Sequence, residues 1–441
     1  MRTAIIGASC SKHFLATFCV ERWSQGVQVE SVASTPAMVV PGDRTPSPFD
    51  RFKRVGTAMA VLVVLMTIAE FFWNASNPTD RDFISFWGAA QLALAGDPSA
   101  AYDQARLHEV QSAVVTFVNG NGMPFPYPPA FLLLVTPFGL LPFAASLPLW
   151  SAATFAIYFI LVRRMFPHSG WLAASFPPVF INAAIGQNAF VTAAVFIGGM
   201  LLLKRRPLAA GLLLGCLVIK PQLGLLLPVA LLAARQWRAV AGAAVSSLGV
   251  LAVGAAVFGM TATEAWLAQM PLYVTIGRDG LVGWHKMASV YAALRQAGAG
   301  LELAFAGHLL VAAAASLLVW RVWRSDSDAT AKAGILAAAT LLASPYVFPY
   351  DAVLLVVAFF WLAQRGAPAL PITILWCLPL LTIAQMASTQ GPLNLSPAVP
   401  IGLLVLGALQ MRASRQASGA ATNHPSWPTA STSSPTANAE V

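Results

Sequence analysis

Two carboxylates in the segment NPTDRDFISFW, residues 77–87, stand directly after a long apolar run. Asp80 and Asp82 flank Arg81 in this segment. A carboxylate at a membrane face can act as a general base or bind an ion. The same residue type also caps helices, where an aspartate near the N-terminus contributes about 0.3–1 kcal/mol. Residue type alone makes capping the more ordinary role, and the catalytic role is the alternative.

Lys220 interrupts the apolar run LLLGCLVIKPQLGLLLP. A lysine at membrane depth costs about 2.5–3.5 kcal/mol on insertion scales, so it is a functional candidate by default. Facing outward at a broken helix, its ammonium group could bind a phosphate. Alternatively it caps the carbonyl groups that end a helix over residues 208–219, with Pro221 starting the next helix.

Two further segments carry polar groups that suit a sugar or a phosphate. The turn GQN supplies the amides of Gln187 and Asn188, which either bind hydroxyl groups or cap a helix. The segment RDGLVGWHK contains Arg278 and His285 beside a tryptophan. A single histidine is more often structural, so a sugar or phosphate pocket is the less common alternative here.

Two proline-rich turns add candidates whose roles are open. Tyr127 of FPYPP either lines an acceptor groove or belongs to an aromatic belt at the membrane interface. Asp351 of SPYVFPYD either pairs with a cation or starts a helix, and we favour the structural role. Walker A, GxGxxG, HExxH and GxSxG motifs are absent from the sequence, which argues against a nucleotide-driven mechanism.

The composition indicates the class of protein that must position these groups. Hydrophobic residues make up 57% of the 441 residues and charged residues 10%, against roughly 25% charged in a soluble domain. Apolar stretches long enough to cross about 30 Å of hydrocarbon recur along the chain. We therefore predict an all-α polytopic membrane protein of about twelve transmembrane or half-membrane helices.

The chain has a net charge of +9, and its basic residues form short clusters between the apolar spans. This distribution is typical of the basic cytoplasmic loops of a membrane protein, and nucleic-acid binding is not needed to explain it. The four cysteines show no metal or disulfide spacing.

The order of apolar and basic segments predicts three parts. Residues 1–54 and 412–441 are expected to be disordered cytoplasmic tails, and residues 55–411 an integral membrane domain with outer loops 74–142 and 259–300. The sequence RFKR precedes the first span, so residue 77 onward should emerge outside. Two helices along the membrane surface are expected after that span. Two hairpins with short arms follow, turning at GQN and KPQ.

Several motifs resemble glycosyltransferase family 87 across residues 54–409. They are DFISFWGAAQLALAG, YPPAFLLLVTPFGLLP, GQNAFVTAAVFIGG with the following KPQLGLLLP, and SPYVFPYDAVLL. The resemblance implies an architecture of the C superfamily of glycosyltransferases, with amphipathic helices in the first outer loop. It also implies transfer of a hexose, mannose in many such proteins, from a polyprenyl-phosphate donor at the outer face of the cytoplasmic membrane.

The resemblance also implies roles for the candidate residues. Asp82, which directly precedes an aromatic-rich helix, matches the family's catalytic base better than Asp80 does, and the transfer would invert the sugar. The donor phosphate would contact cationic side chains, and the sugar or acceptor would contact polar ones. The first group is Lys220, His285 and Arg278, and the second is Asp80, Tyr127, Gln187, Asn188 and Asp351.

Few other molecules are expected to take part. No cofactor and no essential metal are predicted, although the D-R-D spacing leaves a divalent ion open. The expected partners are the polyprenyl-phosphate sugar, a lipid or glycan acceptor and membrane lipids, but no nucleic acid.

A transporter or flippase of a lipid-linked glycan is the rival hypothesis. Such a protein should show related halves and charged residues at mid-membrane depth. The sequence shows no clear repeat, and its candidate groups are expected on one face, which favours an enzyme. A catalytically inactive scaffold is a third alternative that the sequence leaves open.

Overall fold

The computed structural model describes residues 48–76, 81–117, 122–387 and 393–422. Within these ranges the chain is helical and contains no β-strand, so the predicted all-α class is confirmed. Asp80 and most of the two predicted tails lie outside the described residues.

Eighteen α-helices occur in the described ranges. The first nine are α1 (Pro48–Ser76), α2 (Phe83–Leu94), α3 (Gln104–Ser112), α4 (Leu132–Gly139), α5 (Phe143–Met165), α6 (Leu172–Ser175), α7 (Pro177–Ile185), α8 (Ala189–Leu203) and α9 (Pro207–Gly215). The others are α10 (Leu227–Ala233), α11 (Trp237–Phe258), α12 (Met260–Asp279), α13 (Val290–Gln296), α14 (Leu301–Arg324), α15 (Ala329–Ala343), α16 (Val356–Gln364), α17 (Ala369–Ala387) and α18 (Ala398–Thr422).

Three of these helices, α5, α11 and α14, are long and apolar enough to cross a membrane. Ten shorter apolar helical segments accompany them in the described part of the chain. These helices suit a multi-pass membrane protein. The predicted number of about twelve crossings stays a prediction.

Proline and glycine break the short helices into hairpins at the predicted turns. Gly186 ends α7 in the left-handed conformation, with φ 71°, which glycine adopts without strain. A 3₁₀ turn over Cys216–Ile219 precedes Lys220, and Pro221 starts the next one. The 3₁₀ segment Pro349–Leu355 contacts both α7 and α8. The tips of three hairpins therefore meet, namely α7–α8, α9–α10 and α15–α16.

The helix α2 is largely enclosed by other parts of the protein, and its predicted position along the membrane surface stays a prediction. Nine of its twelve residues are buried, because its aromatic side chains pack into one core with Phe131, Phe143 and Trp150. The Phe86 ring lies 5.0 Å from the Phe131 ring and 5.9 Å from the Trp150 ring. An added Cβ on Gly139 would lie 2.9 Å from the Cβ of Ala90, so α2 and α4 pack closely. The helix α3 is mainly exposed and buries only Leu107 and Gln111.

The ends of two helices do not coincide with the predicted boundaries of the membrane domain, which stay predictions. The helix α1 begins at Pro48, ahead of the predicted start at Val55, and α18 continues to Thr422, past the predicted end of the membrane domain. The second outer loop, residues 259–300, contains the helices α12 and α13. The residues that extend α1 and α18, 48–54 and 412–422, are mainly polar or basic, because a helix ends where local hydrogen bonding and capping end it rather than where the apolar run stops.

The helices α9 and α11 pack with their backbones in contact. An added Cβ on Gly211 would clash with the backbone oxygen of Ala239, and one on Gly242 with that of Leu208. Small residues at such positions let helices approach in a membrane, where dispersion contacts rather than hydrophobic burial hold helices together. By contrast, an added Cβ on Gly249 of α11 would meet open space.

We expect Gly211→Ala to lower the apparent melting temperature of the purified protein in detergent by several degrees, because the new methyl group separates α9 from α11. The matched substitution Gly249→Ala should be neutral or stabilising, since alanine favours a helix over glycine by about 1 kcal/mol. Thermal unfolding of both variants in one detergent measures this. Equal effects of the two substitutions would contradict the packing described here.

Candidate active site

Asp82 lies at the start of α2, but its carboxylate does not cap that helix. It accepts a hydrogen bond from Nε2 of Gln187 instead, with 2.9 Å between Nε2 and Oδ2. Gln187 belongs to the tip of the α7–α8 hairpin. The contact therefore joins the start of α2 to the α7–α8 hairpin across more than a hundred residues of sequence.

The amide of Gln187 has one orientation because two donors point at its oxygen. Oε1 accepts from the hydroxyl of Tyr127 at 3.2 Å and from the backbone N–H of Asn188 at 3.1 Å. The amide nitrogen must then face Asp82. Gly186 allows this approach, since an added Cβ there would lie 2.6 Å from the Cβ of Phe83.

Tyr127 is a buried hydrogen-bond donor at the same place. Its backbone oxygen accepts from the hydroxyl of Tyr102 at 2.9 Å, which fixes the FPYPP segment. Burial raises the pKa of Tyr127 well above its ordinary value, and the nearby carboxylates of Asp351 and Asp82 raise it further. Tyr127 is therefore protonated at neutral pH and donates to Gln187.

Lys220 and Asp351 form a buried ion pair, with 2.6 Å between Nζ and Oδ1. The Lys220 side chain is 4% exposed and that of Asp351 is fully buried. Nζ also donates to Oδ1 of Asn188 at 3.2 Å and lies 4.8 Å from the centre of the Tyr350 ring. Oδ2 of Asp351 accepts from the backbone N–H of Phe348 at 3.1 Å. Asp351 thus both pairs with a cation and starts a helical segment, the two alternatives left open by its sequence.

Arg278 and His285 lie outside this hydrogen-bonded set. Arg278 forms an exposed pair with Asp279, at 2.7 and 2.9 Å. Burial lowers the pKa of His285, and the adjacent Lys286 lowers it further, so this ring is largely uncharged at neutral pH. The loop that carries them still contacts the outer turn, because the backbone N–H of Ala288 donates to Val347 at 2.7 Å.

The site also includes residues that the sequence did not assign to it. Burial, together with the nearby carboxylates of Asp82 and Asp351, raises the pKa of Tyr346 to about 12. Tyr346 and Tyr350 belong to the motif SPYVFPYD, and the aromatic residues of this motif could have identified them as candidates. Arg81 forms an ion pair with Glu70 of α1. Its position beside Asp82 in the sequence could have identified it in the same way.

The arrangement combines a base, an orienting amide and a fixed positive charge. Asp82 can accept a proton, Gln187 holds its carboxylate, and Lys220 supplies a cation whose charge Asp351 balances. Within the described residues, no group of three or more His, Cys, Asp or Glu side chains is placed to hold a metal ion. The alternative of a divalent ion between Asp80 and Asp82 involves a residue outside those ranges.

Short apolar hairpins that carry buried polar groups at their tips suit a multi-pass membrane protein. The model of glycosyltransferase family 87 matches residues 125–345, about half of the chain, and the chain belongs to this family. It is therefore a membrane glycosyltransferase. No curated protein and no solved structure matches it.

The family match covers part of the site. Tyr127, Gln187, Asn188 and Lys220 lie within the matched residues 125–345. Asp82 precedes them, so the contact between Asp82 and Gln187 is what connects the proposed base to the matched segment.

We expect Lys220→Met and Asp351→Asn each to lower the apparent melting temperature strongly, because breaking a buried ion pair leaves one charge uncompensated and costs about 3–5 kcal/mol. The double variant should recover a large part of the loss, since no buried charge remains. Thermal unfolding of the four proteins in one detergent gives the coupling. The exposed pair of Arg106 and Glu109, with 3.8 Å between Nε and Oε2, is the control and should show a coupling of about 0–1 kcal/mol. If the double variant loses as much melting temperature as the two single variants together, Lys220 and Asp351 do not stabilise each other as a buried pair.

Proposed function

We propose that the protein transfers a hexose, mannose in the first instance, from a polyprenyl-phosphate donor to a hydroxyl group of a lipid or glycan acceptor. The reaction would take place on the outer face of the cytoplasmic membrane. The observation that carries the proposal is the carboxylate of Asp82, which is held by Gln187 at the hairpin tips rather than used as a helix cap.

In the proposed reaction Asp82 is the general base. It takes the proton from the acceptor hydroxyl as that oxygen attacks the anomeric carbon of the sugar. The bond between this carbon and the phosphate oxygen breaks, and polyprenyl phosphate leaves with the electron pair. Attack opposite the leaving group inverts the configuration of the sugar. Positioned base catalysis of this kind typically contributes about 10²–10⁴-fold.

The remaining polar residues support this step in the proposal. Gln187 and Tyr127 keep the carboxylate oriented, and Asn188 and Asp351 hold Lys220. Lys220 adds a fixed positive charge that stabilises the negative charge on the leaving phosphate. Arg278 and His285 are proposed to contact the donor from the second outer loop. The assignment of Asp80 to the acceptor stays a prediction.

The direction of the helices supports a site on one face of the membrane. The helix α8 runs from the site at Asn188 to the basic residues 204–206, and the chain then returns through α9 to Lys220. The basic cluster thus lies at the opposite end of both helices. By the positive-inside rule that end is cytoplasmic, so we propose that the site faces outward and that both termini are cytoplasmic.

We expect Asp82→Asn to reduce the transfer rate by about 10²–10⁴-fold, because asparagine cannot accept the proton. The assay follows labelled mannose from polyprenyl-phosphate mannose into glycolipids of a membrane extract. Asp103→Asn is the control, since Asp103 caps α3 and asparagine caps about equally well. Wild-type activity in Asp82→Asn would remove Asp82 as the base. If the protein moves a lipid-linked glycan across the membrane of reconstituted vesicles and transfers no sugar, the result would favour the transporter hypothesis.

We expect Gln187→Glu to move the acidic limb of the pH–rate profile to higher pH by about one unit or more. A second carboxylate beside Asp82 makes the ionised form of Asp82 less favourable, and the base must be ionised to act. Gln187→Leu should lower the rate with a smaller shift, and Gln104→Glu, on an exposed residue of α3, should leave the profile in place. The measurement is the transfer rate from pH 4 to 9, roughly the range over which carboxylates and histidines titrate. A Gln187→Glu profile that matches wild type would mean that Gln187 does not contact the base during the reaction.

A further inference from the structure

Arg81 stands directly before the proposed base and is held by an acid from a different helix. Its Nη2 atom pairs with Oε1 of Glu70, near the end of α1. The two side chains are 22% and 24% exposed, so the pair is neither fully buried nor fully solvated. The Nε atom of Arg81 is buried and has no hydrogen-bond partner among the described residues. Arg81 therefore has an unused donor beside Asp82.

The other cations predicted for the phosphate are less suited to bind it directly. The ammonium group of Lys220 already contacts Asp351, Asn188 and the Tyr350 ring, and its side chain is 4% exposed. Arg278 points its guanidinium group at Asp279, and His285 is largely uncharged at neutral pH because burial lowers its pKa. A phosphate could reach Arg81 by displacing one carboxylate.

Arg81 and Asp82 are adjacent residues at the start of α2. The N–H of Ile84 donates to the oxygen of Arg81 at 2.8 Å, and that of Ser85 to the oxygen of Asp82 at 3.1 Å, so both residues belong to one helical turn. Adjacent Cα atoms are about 3.8 Å apart. In an inverting transfer the base and the leaving phosphate lie on opposite sides of one sugar. Because the side chain of arginine reaches farther than that of aspartate, the adjacent residues present a guanidinium group and a carboxylate at different distances from the backbone.

We propose that Arg81 binds the phosphate of the polyprenyl-phosphate donor, and that Glu70 occupies Arg81 until the donor displaces it. The inference rests on the proposed function and names its donor site. The guanidinium group offers parallel N–H donors that match two phosphate oxygens, and it stays protonated throughout. As the bond to the sugar breaks, the added negative charge on the phosphate strengthens this contact.

Glu70 gives Arg81 a partner in the empty site. A charged side chain near lipid is costly unless it is paired, and a carboxylate resembles a phosphate in charge and in acceptor geometry. Binding of the donor then exchanges one anion for another at Arg81. The two members of the pair should consequently respond to mutation in opposite directions.

The test measures donor binding and transfer separately in Arg81→Gln, Arg81→Lys and Glu70→Gln. The binding probe is undecaprenyl phosphate, without a sugar, on protein in lipid nanodiscs. We expect Arg81→Gln to weaken binding and raise the donor KM at least tenfold, with the acceptor KM unchanged, and Arg81→Lys to recover part of the loss. Glu70→Gln should bind the probe several-fold tighter, because the competing anion is gone. Inorganic phosphate at the same concentration as the probe should not displace it, and displacement would contradict a site for a prenyl-linked phosphate.

The outcomes separate this inference from the proposed function. Arg106→Gln, in an exposed pair on α3, is the matched control and should change neither binding nor transfer. If Arg81→Gln and Glu70→Gln impair the protein equally and lower its melting temperature equally, the pair only fastens α1, and the inference is wrong. If wild type transfers the sugar and Arg81→Gln has the same donor KM as wild type, the inference is wrong, but the proposed function is unaffected. Probe binding that depends on Arg81, without transfer to any acceptor, would support the phosphate site and count against the transferase.

Discussion

The ion pair between Lys220 and Asp351 is the interaction on which the polar site depends. It joins the tip of the α9–α10 hairpin to the turn before α16, and Asn188 adds the tip of the α7–α8 hairpin. Each partner alone would be a buried charge in a mainly apolar bundle, which is costly. Together they allow three broken hairpins to end at one point.

The amide of Gln187 separates the proposed base from this charged centre. A lysine directly on Asp82 would favour the ionised carboxylate and weaken it as a proton acceptor. A neutral amide orients the carboxylate without that penalty, and Tyr127 and the backbone of Asn188 fix the amide in turn. The buried pair of Lys220 and Asp351 is therefore separated from the proposed proton acceptor by Gln187 and Asn188.

Local signals predicted much of this structure. Apolar stretches, prolines and the glycine at position 186 identified the helical class, the hairpins and the turns at GQN and KPQ, because these features depend on neighbouring residues. The burial of α2 could not be predicted in this way, since it depends on the aromatic residues at 125–131 and at Trp150. The partners of Lys220, Gln187 and Arg81 lie far away in sequence or on another helix. Single residue types therefore indicated which side chains were unusual, but not which of them meet.

The short arms of the hairpins have a consequence for the surrounding lipid. The helix α8 has 15 residues, and at 1.5 Å per residue it spans about 22 Å, less than the roughly 30 Å of a hydrocarbon core. Such hydrophobic mismatch is accommodated by local thinning of the bilayer. The leaflet on the side of Gln187 and Lys220 would then dip toward them, so that lipid headgroups arrive at the level of the hairpin tips. A substrate anchored by a long chain would meet the protein there without leaving its leaflet.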